Sequence, residues 1–332
     1  MRGRSLPPRV ADFGSLHETL LISGVATILV IRTQLWLTNY PELGGHGLHI
    51  AHLLWGGCFM LVAIGLLLTF LGRPVRRAAA IAGGVGFGFF IDELGKFITQ
   101  DNNYFFRPAA ALIYLIFIGL FMLARALQRH DSFADRDELA NAVDLLGDAA
   151  RHELDELSRR EALALLDRAD PADPLVAPLR ALFERAETRD AEPGRLARAA
   201  ARGRAQRERL IAWPSFEPAV CLLFIVWAVL CAAGTVRTAD LSFLNVATLV
   251  STTVSSALVA VGVVRLRAGD RRAAFRWFER ALLVGIFVTQ VFSFVESQFG
   301  AVFGLGVDLL LLWGLRAAHS SARGVPAPAW GT

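Results

Sequence analysis

GFFIDELGKFITQDNNYFF, residues Gly88 to Phe106, decides how the chain is read. It continues an apolar run of membrane length, yet Asp92, Glu93 and Lys96 fall within it. Lys96 is the sole lysine of a chain in which Lys and Arg together number 34, so arginine meets every other need for positive charge. Ionisable groups at membrane depth are rare and usually face a bundle interior or a wet cavity. The segment therefore marks both a transmembrane helix and the place where chemistry is expected.

On a continuous helix turning about 100° per residue, Asp92, Glu93, Lys96, Thr99 and Gln100 share a sector roughly 120° wide. Phe90, Leu94, Phe97 and Ile98 take the other side. Lipid cannot satisfy the polar sector, which is expected inside the bundle. Asp92 and Lys96 stand at i, i+4 with the acid first, the order that pairs best in helices. They read either as an internal ion pair or as a binding and coupling site, with Glu93 as a further carboxyl. Arg32, in the first helix, either snorkels to the interface or reaches Asp92 or Glu93 at similar depth. Asp101 and Asn102 follow in a polar turn that is either an ordinary connection or a vestibule above the charges.

The preceding helix opens with HGLHIAHLLWGG, which sets His46, His49 and His52 at i, i+3 and i+6 near the same depth. Imidazoles with a carboxylate from Asp92 or Glu93 could ligate zinc or a similar divalent ion. The spacing is not the i, i+4 arrangement that aims two imidazoles most directly at one metal, and His46 also reads as a loop residue. Gly56, Gly57 and Gly65 in this helix, with Gly83, Gly84, Gly86 and Gly88 in the next, mark faces for close helix approach. Nothing about GGVGFG suggests a phosphate loop, because no strand precedes it.

Apolar residues make up 54% of the chain, and stretches of about 20 residues, enough for a ~30 Å hydrocarbon core, recur along it. The expected architecture is all-α, with eight transmembrane helices: Leu20 to Leu37, Leu48 to Leu71, Ala78 to Thr99, Phe106 to Leu127, Ala219 to Val236, Leu241 to Leu266, Phe278 to Phe299 and Ala301 to Ala318. The first is read as a retained helix rather than a cleaved signal. Arginines cluster at the N-terminus, at Arg73, Arg76 and Arg77, in the central segment, between Arg265 and Arg276, and at Arg316 and Arg323. The intervening loops nearly lack them. By the positive-inside rule both termini and the centre are cytoplasmic, in an inner or plasma membrane.

Between residues 128 and 214 the composition shifts to alternating Arg, Asp and Glu with Ala and Leu. Leu139, Val143, Leu146 and Ala150 recur at helical spacing, which predicts an amphipathic helix in a small cytoplasmic domain. Its nearly balanced charges read as solvated faces. The domain plan is a four-helix membrane half (1–127), this insert (128–214), a second four-helix half (215–318) and a disordered tail (319–332). MLVAIGLLLTFLG from Met60 matches ALVAVGVVRLRAG from Ala257, and GFFIDELGKFIT from Gly88 matches GIFVTQVFSFVE from Gly285, at one shift. Two parallel four-helix repeats are expected. The match sets Asp92, Glu93 and Lys96 against Thr289, Gln290 and Ser293, which leaves the charged site to the first half and makes the second a packing partner.

HLLWGG and IDELGKFITQDNNYFFRP resemble sequences of uncharacterised bacterial polytopic membrane proteins, over about the first 120 residues. That resemblance implies no activity. The His and Asp content invites comparison with the membrane metal hydrolases related to alkaline ceramidases, but the late helices around Phe287 to Val295 and Val307 to Leu315 lack their histidine pair.

Cys58, Cys221 and Cys231 lack metal-ligand spacing and read as small apolar residues. No basic cluster with interleaved aromatics suggests nucleic acid. The expected partners are the bilayer and a small solute or ion, with a homo-oligomer left open. Three functions compete. The first is transport or gated permeation, with Asp92, Glu93, Lys96, Arg32, Asp101 and Asn102 binding the solute or ion. The second is a metal-dependent hydrolase using His49 and His52 as ligands, with His46 nearby and Glu93 as base. The third is a ligand sensor or scaffold reporting to the cytoplasmic domain.

Overall fold

The computed structural model describes residues 8–37, 52–94, 98, 107–128, 134–151, 154–188, 195–237 and 242–321, and among them there is helix and no strand. The helices are α1 (Phe13–Leu37), α2 (His52–Thr69), α3 (Arg73–Asp92), α4 (Arg107–Gln128), α5 (Ala134–Ala150), α6 (Glu156–Arg168), α7 (Val176–Arg185), α8 (Arg195–Ile211), α9 (Phe216–Arg237), α10 (Phe243–Arg267), α11 (Arg271–Val284), α12 (Gln290–Ser297) and α13 (Ala301–Ser321). A π-helical turn, Gly285–Thr289, joins α11 to α12.

The described part of each expected apolar segment is mainly helical. Five stretches are long and apolar enough to cross a membrane: Phe13–Gln34, Pro108–Leu127, Phe216–Gly234, Phe243–Arg267 and Arg271–Ala318. The last contains α11 to α13 together. In α2 the apolar stretch Leu53–Thr69 is shorter, and α3 carries Arg73, Arg76, Arg77 and Asp92. Leu68 and Leu71 are more than four-fifths exposed, and Ile22, Leu54 and Leu61 about two-thirds. Apolar surface of that extent on long helices suits a hydrocarbon surround.

The chain divides into two compact units. The first holds α1 to α3, the later part of α4 and α5 to α7; the second holds the earlier part of α4 and the helices from α8 onward. These units cut the chain elsewhere than the composition-based plan does, since residues 94–118 group with the C-terminal helices.

Glycine sets the first unit. A Cβ on Gly84 would lie 2.2 Å from the main-chain oxygen of Leu20, and one on Gly88 would lie 2.6 Å from that of Gly24. The matched four-residue steps mean that α3 runs parallel to α1 with backbones in direct contact. Gly86 meets Gly56 and Met60 of α2, while Gly56 meets Phe90, so α2 runs antiparallel to α3. Small residues on facing helices allow this approach. Gly57 and Gly65 correct the sequence reading, because a Cβ on either meets nothing within 4 Å.

The insert folds as α5, α6 and α7 around Leu145, Leu154, Leu166 and Phe183, all nearly inaccessible. The expected stripe is rotated. Ala142 and Leu145 form its buried face, Leu139 and Leu146 flank it, and Val143 is 45% exposed. Asn141 shares the buried face at the seam with the N-terminal segment, where its amide accepts from Ala11 N and donates to Arg9 O. The solvated-face reading is also corrected. Arg73 forks onto Glu161 at 2.7 and 2.9 Å, Arg76 forks onto Asp144, and Arg9 pairs with Asp137 at 3.2 Å. Arginines at the start of α3 and before α1 thus dock the acidic faces of the insert.

In the second unit α9, α10, α11 and α13 enclose Phe224, Phe275, Phe278, Leu282 and Leu315. Gly262 admits the Phe278 ring. Tyr114, from the early part of α4, stacks on Phe294 at 4.7 Å between ring centroids and donates its hydroxyl to Ile286 O.

Candidate functional site

The glycine contacts carry α3 beside α1 until the register brings Asp92 to Arg32. Gly84, Gly88 and Asp92 are one helical turn apart, and the first two lie against Leu20 and Gly24. The third step sets Asp92 level with Ile28, and from one turn beyond the Arg32 guanidinium donates through Nε to Asp92 Oδ1 at 2.7 Å and through Nη2 to Asp92 O at 3.1 Å. The Asp92 side chain is inaccessible and that of Arg32 is 15% exposed. Arg32 therefore turns inward rather than snorkelling. Glu93 is as buried as Asp92, each being 1% exposed.

This arrangement revises the helix geometry inferred from sequence. α3 ends at Asp92, and Glu93 stands in a turn with φ −81° and ψ 1°. The shared sector running from Asp92 to Gln100 assumed an unbroken helix from Ala78 to Thr99, which the structure does not have. At this break the Glu93 amide bonds to Ile91 O instead of the carbonyl four residues back, and Asp92 O accepts from Arg32. Inside a bilayer such a backbone group must find a protein partner, and a guanidinium supplies one. Asp92 is thus bound through both its carboxylate and its main chain.

Lys96, Asp101, Asn102, His46 and His49 lie outside the described residues, and His52 opens α2 without a described side chain. The Asp92–Lys96 pair and the histidine ligand set are accordingly not part of the observed geometry. Among the described residues no group of three or more His, Cys, Asp or Glu stands together to hold a metal.

A second buried polar cluster went unread in the sequence. Asp308, on α13, accepts from Trp227 Nε1 at 2.8 Å and from Gln290 Nε2 at 3.0 Å. Both Asp308 and Gln290 are 7% exposed. The second half, expected to serve as a packing partner, carries a buried carboxylate of its own. A signal was present, since Asp308 interrupts the last apolar run and Gln290 is the residue matched to Glu93. The partners of Asp308 come from helices remote in sequence, which no local pattern reveals.

Fold and site together define the class: an all-α protein with membrane-length apolar helices, one of which ends within the first unit at a buried arginine–carboxylate pair. No protein family matches the chain, and no curated protein or solved structure matches it.

Proposed function

We propose that the chain is a multi-pass membrane protein that transports or gates a small polar solute or ion. The supporting observation is the buried Arg32–Asp92 pair at the end of an interrupted helix, with Glu93 beside it. Transporter sites recur at discontinuous helices, where half-helix ends and freed backbone groups meet charged ligands. A helix C-terminus carries partial negative charge. With two carboxylates it favours a cation or the cationic part of a solute, and Arg32 holds Asp92 while Glu93 contacts the substrate. Lys96, Asp101 and Asn102 complete the outer approach in this reading. Eight crossings in two parallel repeats, with both termini and the insert cytoplasmic, form the accompanying topology.

The test is charge movement in proteoliposomes on a solid-supported membrane, with concentration jumps of Na⁺, K⁺, H⁺ and Cl⁻ in turn. Wild-type protein gives a saturable current that Glu93→Gln removes while the variant stays folded. Lys96→Arg also keeps the fold and loses the current, because a compact ammonium and a planar guanidinium are not interchangeable at a ligand site. Absence of current with every ion, or an unchanged current in Glu93→Gln, would overturn the reading.

A further inference from the structure

We infer that Asp308, Gln290 and Trp227 build a second site, which binds a bare monovalent cation of the Na⁺ or K⁺ class through oxygen ligands. This site lies in the second unit and does not depend on the proposed role of Arg32 and Asp92.

Charge is the first ground. Asp308 is 7% exposed, and no arginine, lysine or histidine pairs with it among the described residues; its partners are the neutral Trp227 indole and the Gln290 amide. A carboxylate held at membrane depth with neutral donors alone keeps an uncompensated charge, which is costly in a low-dielectric surround.

The second ground is a separate atom. Gln290 Oε1 is buried and has no hydrogen-bond partner among the described residues. Buried amide oxygens are nearly always satisfied, so an orphan calls for an explanation. A proton on Asp308 would not resolve both facts. Turning the Gln290 amide over would let a protonated Asp308 donate to Oε1, but Nε2 would then lose its acceptor. A cation accepts lone pairs from both groups, neutralising the carboxylate and occupying the amide oxygen, as hard cations do with carboxylate and carbonyl oxygens. With one carboxylate in the cluster, single charge gives the balanced site; a divalent ion would leave net positive charge in its place.

The backbone beside the cluster departs from regular α-helix. The π-helical turn Gly285–Thr289 ends immediately before Gln290, and single π turns within helices occur often at functional sites. Gly285 and Gly304 keep the surroundings small. A Cβ on Gly285 would come within 3.6 Å of Asp308 Oδ2, and one on Gly304 within 3.2 Å of Gln290 Nε2.

Trp227 supplies the reporter, because its indole N–H bonds directly to Asp308 Oδ1. Detergent-purified full-length protein is titrated with NaCl or KCl at constant ionic strength against N-methyl-D-glucamine chloride, at fixed pH, and both tryptophan emission and Tm are followed. Wild type shows a saturable emission change and a rising Tm with Na⁺ or K⁺. Asp308→Asn abolishes both, and Trp227→Phe removes the emission change but keeps the Tm response. Gln290→Met keeps the carboxylate and loses the amide oxygen, so it weakens apparent affinity by about tenfold or more and serves if Asp308→Asn does not fold. An unaltered cation response in both Asp308→Asn and Gln290→Met overturns the site. So does a wild-type protein whose emission and Tm change with neither Na⁺ nor K⁺. Neither measurement reads flux, so failure here leaves the proposed transport role untouched, and the converse holds.

Discussion

Asp92 meets a guanidinium, whereas Asp308 meets an indole and a carboxamide. Both carboxylates are buried on apolar helices, and both lie near a departure from regular α-helix: the turn at Glu93 in one unit and the π turn before Gln290 in the other. In the first cluster charge is matched inside the chain, and the same arginine binds a main-chain carbonyl. In the second the carboxylate has donors but no counter-charge among the described residues. A matched buried pair resists loss of either partner, because the survivor stays charged out of water. A carboxylate held by neutral donors tolerates neutralisation.

The largest test of that contrast is Arg32→Met, which strands Asp92 and is expected to cost about 3–5 kcal/mol of stability. The double change Arg32→Met with Asp92→Asn recovers most of the loss, while Asp308→Asn costs about 1–3 kcal/mol, because one neutral donor loses its acceptor but no opposite charge is stranded. Reversible unfolding in mixed micelles measures all of them, and additive single and double changes at Arg32 and Asp92 would break the comparison.

Backbone proximity sharpens it next. Gly84→Ala places a Cβ against a main-chain oxygen of α1 and is expected to cost about 1–3 kcal/mol, as overpacking does. It also pulls Arg32 from register with Asp92, so Arg32→Met and Gly84→Ala effects should not add. Gly285→Ala finds its nearest contact at ordinary van der Waals distance and should leave the unfolding midpoint close to wild type. Equal losses from the two glycines would contradict the register argument.

A half-exposed pair calibrates the buried one. Arg73→Gln removes the fork onto Glu161, whose side chain is 41% exposed. The expected loss is about 0.2–1 kcal/mol and shrinks as salt is raised; protease susceptibility of the α5–α7 insert at low and high salt reads it. A larger, salt-independent loss would mean that this seam behaves like the buried cluster.

Smallest is the pH response of Glu156. The Arg160 hydrogen bond, then the nearby charges of Arg159 and Arg160, hold its carboxyl below the ordinary value of 4.5. The folded form favours ionised Glu156, so its contribution is present above that value and is lost as pH falls through the depressed one. Arg160→Gln should flatten this part of the insert's acid unfolding curve slightly, through a small loss of stability at neutral pH and none below the depressed value.

Much of this was legible in the chain. Apolar runs of membrane length located the helices, because hydrocarbon leaves a spanning backbone few alternatives. Asp92 and Glu93 announced themselves by rarity, and Arg32 by its depth. The balanced charges of the insert hid their destination, since residues 137, 144 and 161 meet Arg9, Arg73 and Arg76 only across long separations. Val143 was assigned to the core by spacing alone, and a neighbouring face was buried instead.

Composition and periodicity by themselves determined that the chain is helical, where its apolar segments lie, and that charge enters the third of them. Those properties follow from local patterns and from the cost of leaving polar groups in an apolar solvent. Only the tertiary structure decided which glycines touch, that α3 stops at Asp92, and that Asp308 gathers Trp227 and Gln290. Each depends on the register between helices distant in sequence, and that register is set by packing contacts that no periodicity within one helix encodes.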